Sequence, residues 1–147
     1  MSIDISPAVA RRFVLGKQGL WPGRRWRGPD GVVAAMRTAE HLQLDPLVVM
    51  ARAQDLILHS RVLDYEPDGW QAPTYEARGF FDWGGWLALR PMAELPHWRV
   101  IMRREASGSY WRAQASEHAE AIQEMRDILA ERGTVANRDF AMPDRKR

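Results

Sequence analysis

A chain of 147 residues, 46% hydrophobic and 27% charged, is sized for one globular domain, or for one domain and the start of another, and can bury a real core. It has no cysteine, which excludes disulfides and thiolate metal sites, and its four histidines stand at least 18 residues apart, with no i, i+4 pair of the kind that holds zinc on a helix. The formal charge is only +2, the opening MSIDISPAVARRF has no secretion-signal core, and no apolar run reaches the about 20 residues of a membrane span, so no metal, no membrane and a cytoplasmic location are expected.

Taken in chain order, Ser6-Pro7 reads as an N-cap followed by proline at the first helical position. Val9, Phe13 and Leu20 then share one face, with Arg11 opposite. Arg11, Arg12, Lys17, Arg24, Arg25 and Arg27 are opposed only by Asp4 in the first 27 residues. Such a basic patch suits phosphate, and equally suits a solvated face. After the turn-rich WPGRRWRGPD, Asp30 is placed to cap a second helix ending near Leu42, with Val32, Ala35, Met36 and Ala39 repeating at i, i+3, i+4, i+7.

Gln43-Leu44-Asp45 is the connector, and Pro46 is expected to open a third helix running to about Arg61. Leu47, Val48, Val49, Met50, Leu56, Ile57 and Leu58 make it mostly buried, leaving Arg52, Asp55 and His59 as a narrow polar stripe. Phosphate contact through Arg52 or Arg61 is one use of that stripe; a solvated edge with an Arg52 to Asp55 pair is the other. Asp45 itself has two readings. Before proline, an aspartate is a common N-cap; alternatively, on an extended connector residues 43 and 45 project to one side, and an amide and a carboxylate there can share a water.

DYEPDGWQAPTYEAR has room for a short helix, and FFDWGGWLALRP reads as a β-hairpin turning at Gly84-Gly85. Pro91 and Pro96 punctuate an apolar segment through Met102. A long helix follows from about Ser109 to Arg132, with Ala115, Ala119, Ile122, Met125 and Leu129 on its buried side and Gly133 as its stop. Three helices and a hairpin give the winged helix-turn-helix order, so the fold class is mainly α with a small hairpin, followed by a long helix. Of the seven tryptophans, Trp21 and Trp26, interleaved with arginines, are candidates for stacking on bases; Trp83, Trp86 and Trp98 are expected in the core.

The blocks ISPAVARRFVLGKQGL, LQLDPLVVMARAQDLILHSRVLDY, FFDWGGWLALRPMAELPHWRVIMRR and ILAERGTVANRDF resemble the winged-helix crosslink-repair DNA glycosylases, the YcaQ/AlkZ group. That group carries a Gln-hydrophobic-Asp or Gln-hydrophobic-Gln catalytic motif, and Gln43-Leu44-Asp45 matches the Asp form. The resemblance spans essentially the whole chain and the first part of the family's length. It implies a winged-helix domain over 1–105, a connecting helix over 106–133, and the incomplete start of a second winged helix over 134–147. It departs from the family at Gly84-Gly85-Trp86, a region that tends to carry a histidine.

The resemblance implies hydrolysis of the N-glycosidic bond of N7-alkylated purines in double-stranded DNA, including interstrand crosslinks, and no cofactor is expected; a monomer is the default expectation, and the sequence leaves the oligomeric state open. Glycoside cleavage passes through an oxocarbenium-like sugar and ordinarily needs an acid and a base. A guanine alkylated at N7 is already cationic and leaves unprotonated, so one carboxylate suffices: Asp45 as base, with Gln43 orienting the water. Arg11, Arg12, Lys17, Arg24, Arg25, Arg27, Arg52 and Arg61 are the expected DNA contacts. The alternative is a non-catalytic winged-helix DNA-binding module, and a third reading is a fragment that needs a partner polypeptide.

Overall fold

The computed structural model describes residues 4–136, which divide into two compact units, one up to Trp98 and one from Arg99. The chain is mainly helical with small sheets, as expected. Among the described residues no helix is long and apolar enough to cross a membrane. The start of a second winged helix expected over 134–147 lies, from residue 137 on, outside the described residues.

Helix α1 (Pro7–Lys17) begins as read: Pro7 occupies the first turn and the Ser6 hydroxyl accepts from the Val9 amide at 3.3 Å. Its apolar face, however, is not buried; Val9, Phe13 and Val14 are all exposed. Gly19 ends this region at φ +72°, and a Cβ there would fall 2.6 Å from the Trp26 ring, so only glycine lets the chain turn that close to the indole. Strand β1 (Trp26–Arg27) then leads straight into α2 (Gly28–Ala39). Arg27, not Asp30, is the capping position; Gly28 and Pro29 start the helix three residues early and leave Asp30 in its first turn, where a carboxylate favours the helix dipole. Val32, Ala35 and Met36 are buried at the predicted spacing, and Glu40, at φ 59°, stops the helix before Leu42.

Strand β2 (Leu42–Gln43) pairs antiparallel with β5 (Ala88–Pro91), Leu42 opposite Leu89 and Gln43 opposite Ala88. On the other side of β5 lies β4 (Phe80–Phe81), Phe80 opposite Pro91, so the sheet order is β2-β5-β4. The hairpin is therefore present, with residues 82–87 as its loop and both Gly84 and Gly85 at positive φ. The third helix is much shorter than read. Helix α3 covers only Ala53–His59, while residues 46–52 are non-helical and Leu47, Val48, Val49 and Met50 face solvent. Strand β3 (Val62–Leu63) follows and pairs in parallel with β1. A single wide π-type turn over Ala72–Glu76 supplies the expected short helix, tied by the buried Thr74 hydroxyl donating to the Trp70 carbonyl at 2.7 Å.

The core sits between these pieces: Val32, Ala35 and Met36 from α2, Leu42 from β2, Leu58 from α3, Val62, Trp70, Phe80 and Leu89. The tryptophan expectations need correcting. Trp70 is the buried one, Trp83 and Trp98 are half-buried partners 6.1 Å apart, and Trp86 is exposed. Arg90, buried behind the hairpin, lies 4.3 Å over the Trp98 ring and donates to the Ala88 carbonyl.

Helix α4 (Leu95–Ala106) occupies the segment read only as apolar. The single helix expected from Ser109 to Arg132 is two, α5 (Ser109–Glu117) and α6 (Ala119–Arg132), divided at His118. Ser116 and His118 are weak helix formers at the break. No residue of either helix is buried, so the stripe through Met125 and Leu129 is exposed rather than packed. Gly133 does end α6, with φ +75° and its amide on the Leu129 carbonyl at 2.8 Å.

Candidate functional site

Asp45 leaves the sheet immediately after β2. The Leu44 amide is bound to the Leu87 carbonyl at 2.6 Å, which fixes the connector to the hairpin, while Leu44 packs on the core. The Asp45 amide in turn donates to the Gln54 Oε1 at 3.1 Å. Because that donor is an N–H, its acceptor has to be the amide oxygen, and the Gln54 –NH2 end is left for another partner. Gln54 is only 3% exposed and sits in the first turn of α3, so a buried side chain of a short helix anchors the backbone of Asp45.

The carboxylate does not cap a helix. Its Oδ1 accepts from the Leu47 amide at 2.9 Å across Pro46, an Asx turn, and residues 46–52 never become helical. The other oxygen, Oδ2, has no donor among the described residues. Asp45 is half-buried and lies on a cleft of about 320 Å³ lined by Leu44, Asp45, Pro46, Arg52, Gln54, Trp70 and Leu87. This cleft joins one open carboxylate oxygen, one amide, one guanidinium and an apolar wall. Trp70 in that wall carries a buried indole N–H with no partner, the one such side-chain group among the described residues.

Gln43 is not brought into the cleft. It is exposed on β2, and Gln54, which the sequence reading passed over, is the amide that touches Asp45. The available signal was slight: a glutamine between Ala53 and Asp55, just ahead of the apolar Leu56, Ile57 and Leu58.

The basic residues divide into free and engaged groups. Arg11, Arg12 and Lys17 are exposed on α1, with the Arg12 guanidinium 5.5 Å from the Trp21 ring. Arg24 meets His59 at 2.7 Å, Arg25 covers Trp26 at 4.3 Å, and Arg27 faces Asp64 at 3.5 Å in full solvent. Trp26 is thus half-buried under Arg25, while Trp21 is exposed. Arg52 pairs with Asp68 at 3.9 Å, not with Asp55. Asp55 is buried and accepts from the Tyr65 hydroxyl at 2.7 Å and the Asp68 amide at 2.9 Å. Burial, reinforced by that Asp55 contact, pushes the Tyr65 phenol well above its ordinary value.

Arg61 is a correction to the basic set. It is buried, its Nε donates to the Gln18 carbonyl at 2.8 Å, and its Nη1 serves the Ile57 carbonyl and the Ser60 hydroxyl. Burial lowers its guanidinium from the ordinary value. It ties α1's exit to α3's end, and its guanidinium is taken up by these contacts rather than presented on the surface.

Among the described residues no group of three or more His, Asp or Glu is arranged to hold a metal ion. No curated protein and no solved structure matches the chain. A family model does: the one described as DNA glycosylase AlkZ-like matches residues 36–147, which contain the whole Asp45 cleft and more than half of the sequence. The chain belongs to the AlkZ-like DNA glycosylase family.

Proposed function

We propose that this chain hydrolyses the N-glycosidic bond of N7-alkylated purines in double-stranded DNA, and so unhooks interstrand crosslinks made through such bases. The observation that carries the reading is the Asp45 carboxylate, held through Oδ1 and open at Oδ2 on the edge of a cleft. Oδ2 takes a proton from water as that water's oxygen bonds to C1′ of the sugar. The C1′–N9 bond breaks, and its electron pair neutralises the cationic purine, which leaves as a free base over an abasic site. The same negative charge stabilises the positive charge developing on the sugar. The unpaired –NH2 of Gln54 orients the water from inside the cleft, and Gln43, two residues along the extended chain, meets the substrate from the solvent side.

The sheet order supports a winged-helix reading of the first unit: helix α2, strand β2, helix α3, the 72–76 turn, then a hairpin whose second strand pairs back with β2. Phosphate contacts fall to Arg11, Arg12, Lys17, Arg24, Arg25, Arg27 and Arg52, with Arg61 excluded. The competing reading, a winged-helix module that binds DNA without cutting it, draws on the exposed position of Gln43 outside the cleft.

Release of N7-methylguanine from duplex DNA by the protein and by Asp45→Asn separates the two. An asparagine oxygen still accepts from the Leu47 amide, so folding should change by only a few tenths of a kcal/mol, about the cost of a like-for-like cap exchange. Base release should fall by roughly 100-fold or more, the ordinary worth of a positioned base. Equal release from both proteins, or none from either alongside salt-sensitive binding, removes the catalytic reading.

A further inference from the structure

The loop between Pro46 and Arg52 is the most exposed apolar stretch beside the cleft. Leu47, Val48, Val49 and Met50 are 73%, 61%, 95% and 90% exposed. Both feet of this loop, Pro46 and Arg52, line the Asp45 cleft, and its first amide is the one bound to Asp45 Oδ1. The apolar tip therefore projects from the rim of the site at a fixed distance along the chain. Four consecutive bare aliphatic side chains have no packing role in the described unit, and consecutive exposure of this kind marks a contact surface.

The charge pattern says what it contacts. From Pro46 to Gln54 the single charged residue is Arg52, a partly exposed cation at the loop's downstream foot that faces Asp68 at 3.9 Å; of the carboxylates on either side, Asp45 is engaged by the Leu47 amide and Asp55 is buried. At the far end of α3, a seven-residue helix and so about 10 Å away, stands the Arg24 and His59 pair. An aliphatic tip with no carboxylate of its own, a cation at its downstream foot and a second one along α3 matches a nucleic-acid duplex: bases in the interior, phosphates at the edges. A shallow cleft whose open oxygen has to reach C1′ also needs the base stack parted first.

We infer that Leu47, Val48, Val49 and Met50 form a wedge that enters the base stack of duplex DNA beside the nucleotide presented to Asp45. Aliphatic side chains and methionine are the wedges that unstack a base step, and the adjoining arginine neutralises a phosphate of the parted strand. The inference rests on the reading of Asp45 as a DNA site, and its test is kept separate from base release.

The probe is a duplex with 2-aminopurine next to an abasic-site analogue, which brightens when its neighbour unstacks. At saturation the parent protein should raise the fluorescence several-fold. Val49→Ser with Met50→Ser, both exposed positions where folding is unaffected, should lose most of that rise while affinity by anisotropy falls no more than about 10-fold, the scale of one or two lost base contacts. Arg52→Gln should do the converse, keeping the rise per bound complex and lowering the salt slope by about one. Binding without a rise, an undiminished rise from the double variant, or no binding at all overturns the wedge. So does a parent that dimerises or binds anionic vesicles through these residues while leaving 2-aminopurine dark. Unstacking without release of any N7-alkylated base leaves the wedge standing and removes the glycosylase reading; release without unstacking does the reverse.

Discussion

Replacing Gln54 by methionine keeps the volume of a side chain that is 3% exposed and deletes the oxygen that holds the Asp45 amide at 3.1 Å. A neutral hydrogen bond of this kind contributes about 1 kcal/mol, and a buried donor left without an acceptor costs about 1–3 kcal/mol. Asp45 is half-buried, so water reaches part of the abandoned amide, and the loss belongs near the lower limit, about 1–1.5 kcal/mol. Gln54→Ala also removes three heavy atoms that methionine keeps in this buried site and leaves a gap, about 2 kcal/mol or more beyond Gln54→Met. Urea unfolding followed by tryptophan fluorescence measures this directly, because every tryptophan except Trp111 lies within the unit that holds the cleft. The same contact fixes the backbone from which the carboxylate projects. Base release at saturating lesion should therefore fall roughly 10- to 100-fold in Gln54→Met, the penalty of a reacting group displaced by a fraction of an ångström to one ångström. Gln54→Met with parental stability and parental base release would falsify the anchoring role and leave the connector held by strand pairing alone.

Two further outcomes are expected. Arg61→Lys cannot serve the Gln18 and Ile57 carbonyls and the Ser60 hydroxyl together, so stability should fall by about 2–4 kcal/mol, with no change in the DNA affinity of the folded protein at any salt; a change in salt slope would return Arg61 to the binding surface. Tyr65 is held protonated by burial and by Asp55, with a folded-state value above that of the unfolded chain. Its contribution is complete below the unfolded value of about 10 and is lost as pH rises beyond it. Unfolding free energy should fall progressively as pH rises above about 10 in the parent. In Tyr65→Phe it should be about 1–2 kcal/mol lower at pH 8 and flatter above pH 10; equal slopes would refute the assignment.

Local rules in the sequence carried over wherever the structure uses them locally. Ser6-Pro7 opens α1, the 32, 35, 36 spacing buries α2, Gly84-Gly85 turns the hairpin, and Gly133 stops α6. Asp45-Pro46 failed as a helix start because the same dipeptide supports an Asx turn, and the carboxylate took the Leu47 amide in a turn that does not continue. The run from Leu47 to Met50 reads as a buried face on hydrophobicity alone, yet burial needs a second surface, and the described unit supplies none. Asp55 and Gln54 were misread or passed over for a related reason. Their partners, Tyr65, Asp68 and Asp45, lie nine to thirteen residues away, a distance at which no periodicity connects them. Of the cleft, the sequence carried the extended connector that bears Asp45; the Gln54 amide that holds its backbone was visible only in three dimensions. The resemblance to crosslink-repair glycosylases, read from the blocks around Gln43-Leu44-Asp45, agrees with the family match over residues 36–147.

The distribution of burial bears on how the molecule opens. Apart from Gly19, every buried residue among those described lies between Gly31 and Pro91, and none lies in 99–136. Local opening free energy follows buried contacts, so the slowest-exchanging amides belong to α2, α3 and the three-stranded sheet, while the helical hydrogen bonds of α5 and α6 exchange through fraying. Trypsin meets the same gradient: Arg99, Arg103, Arg104, Arg112, Arg126 and Arg132 are exposed on helices that little holds shut, whereas Arg61 and Arg90 are sealed. Within the first unit the matching weak point is Arg52, exposed at the end of the non-helical 46–52 loop, so a cut there opens the rim of the cleft itself.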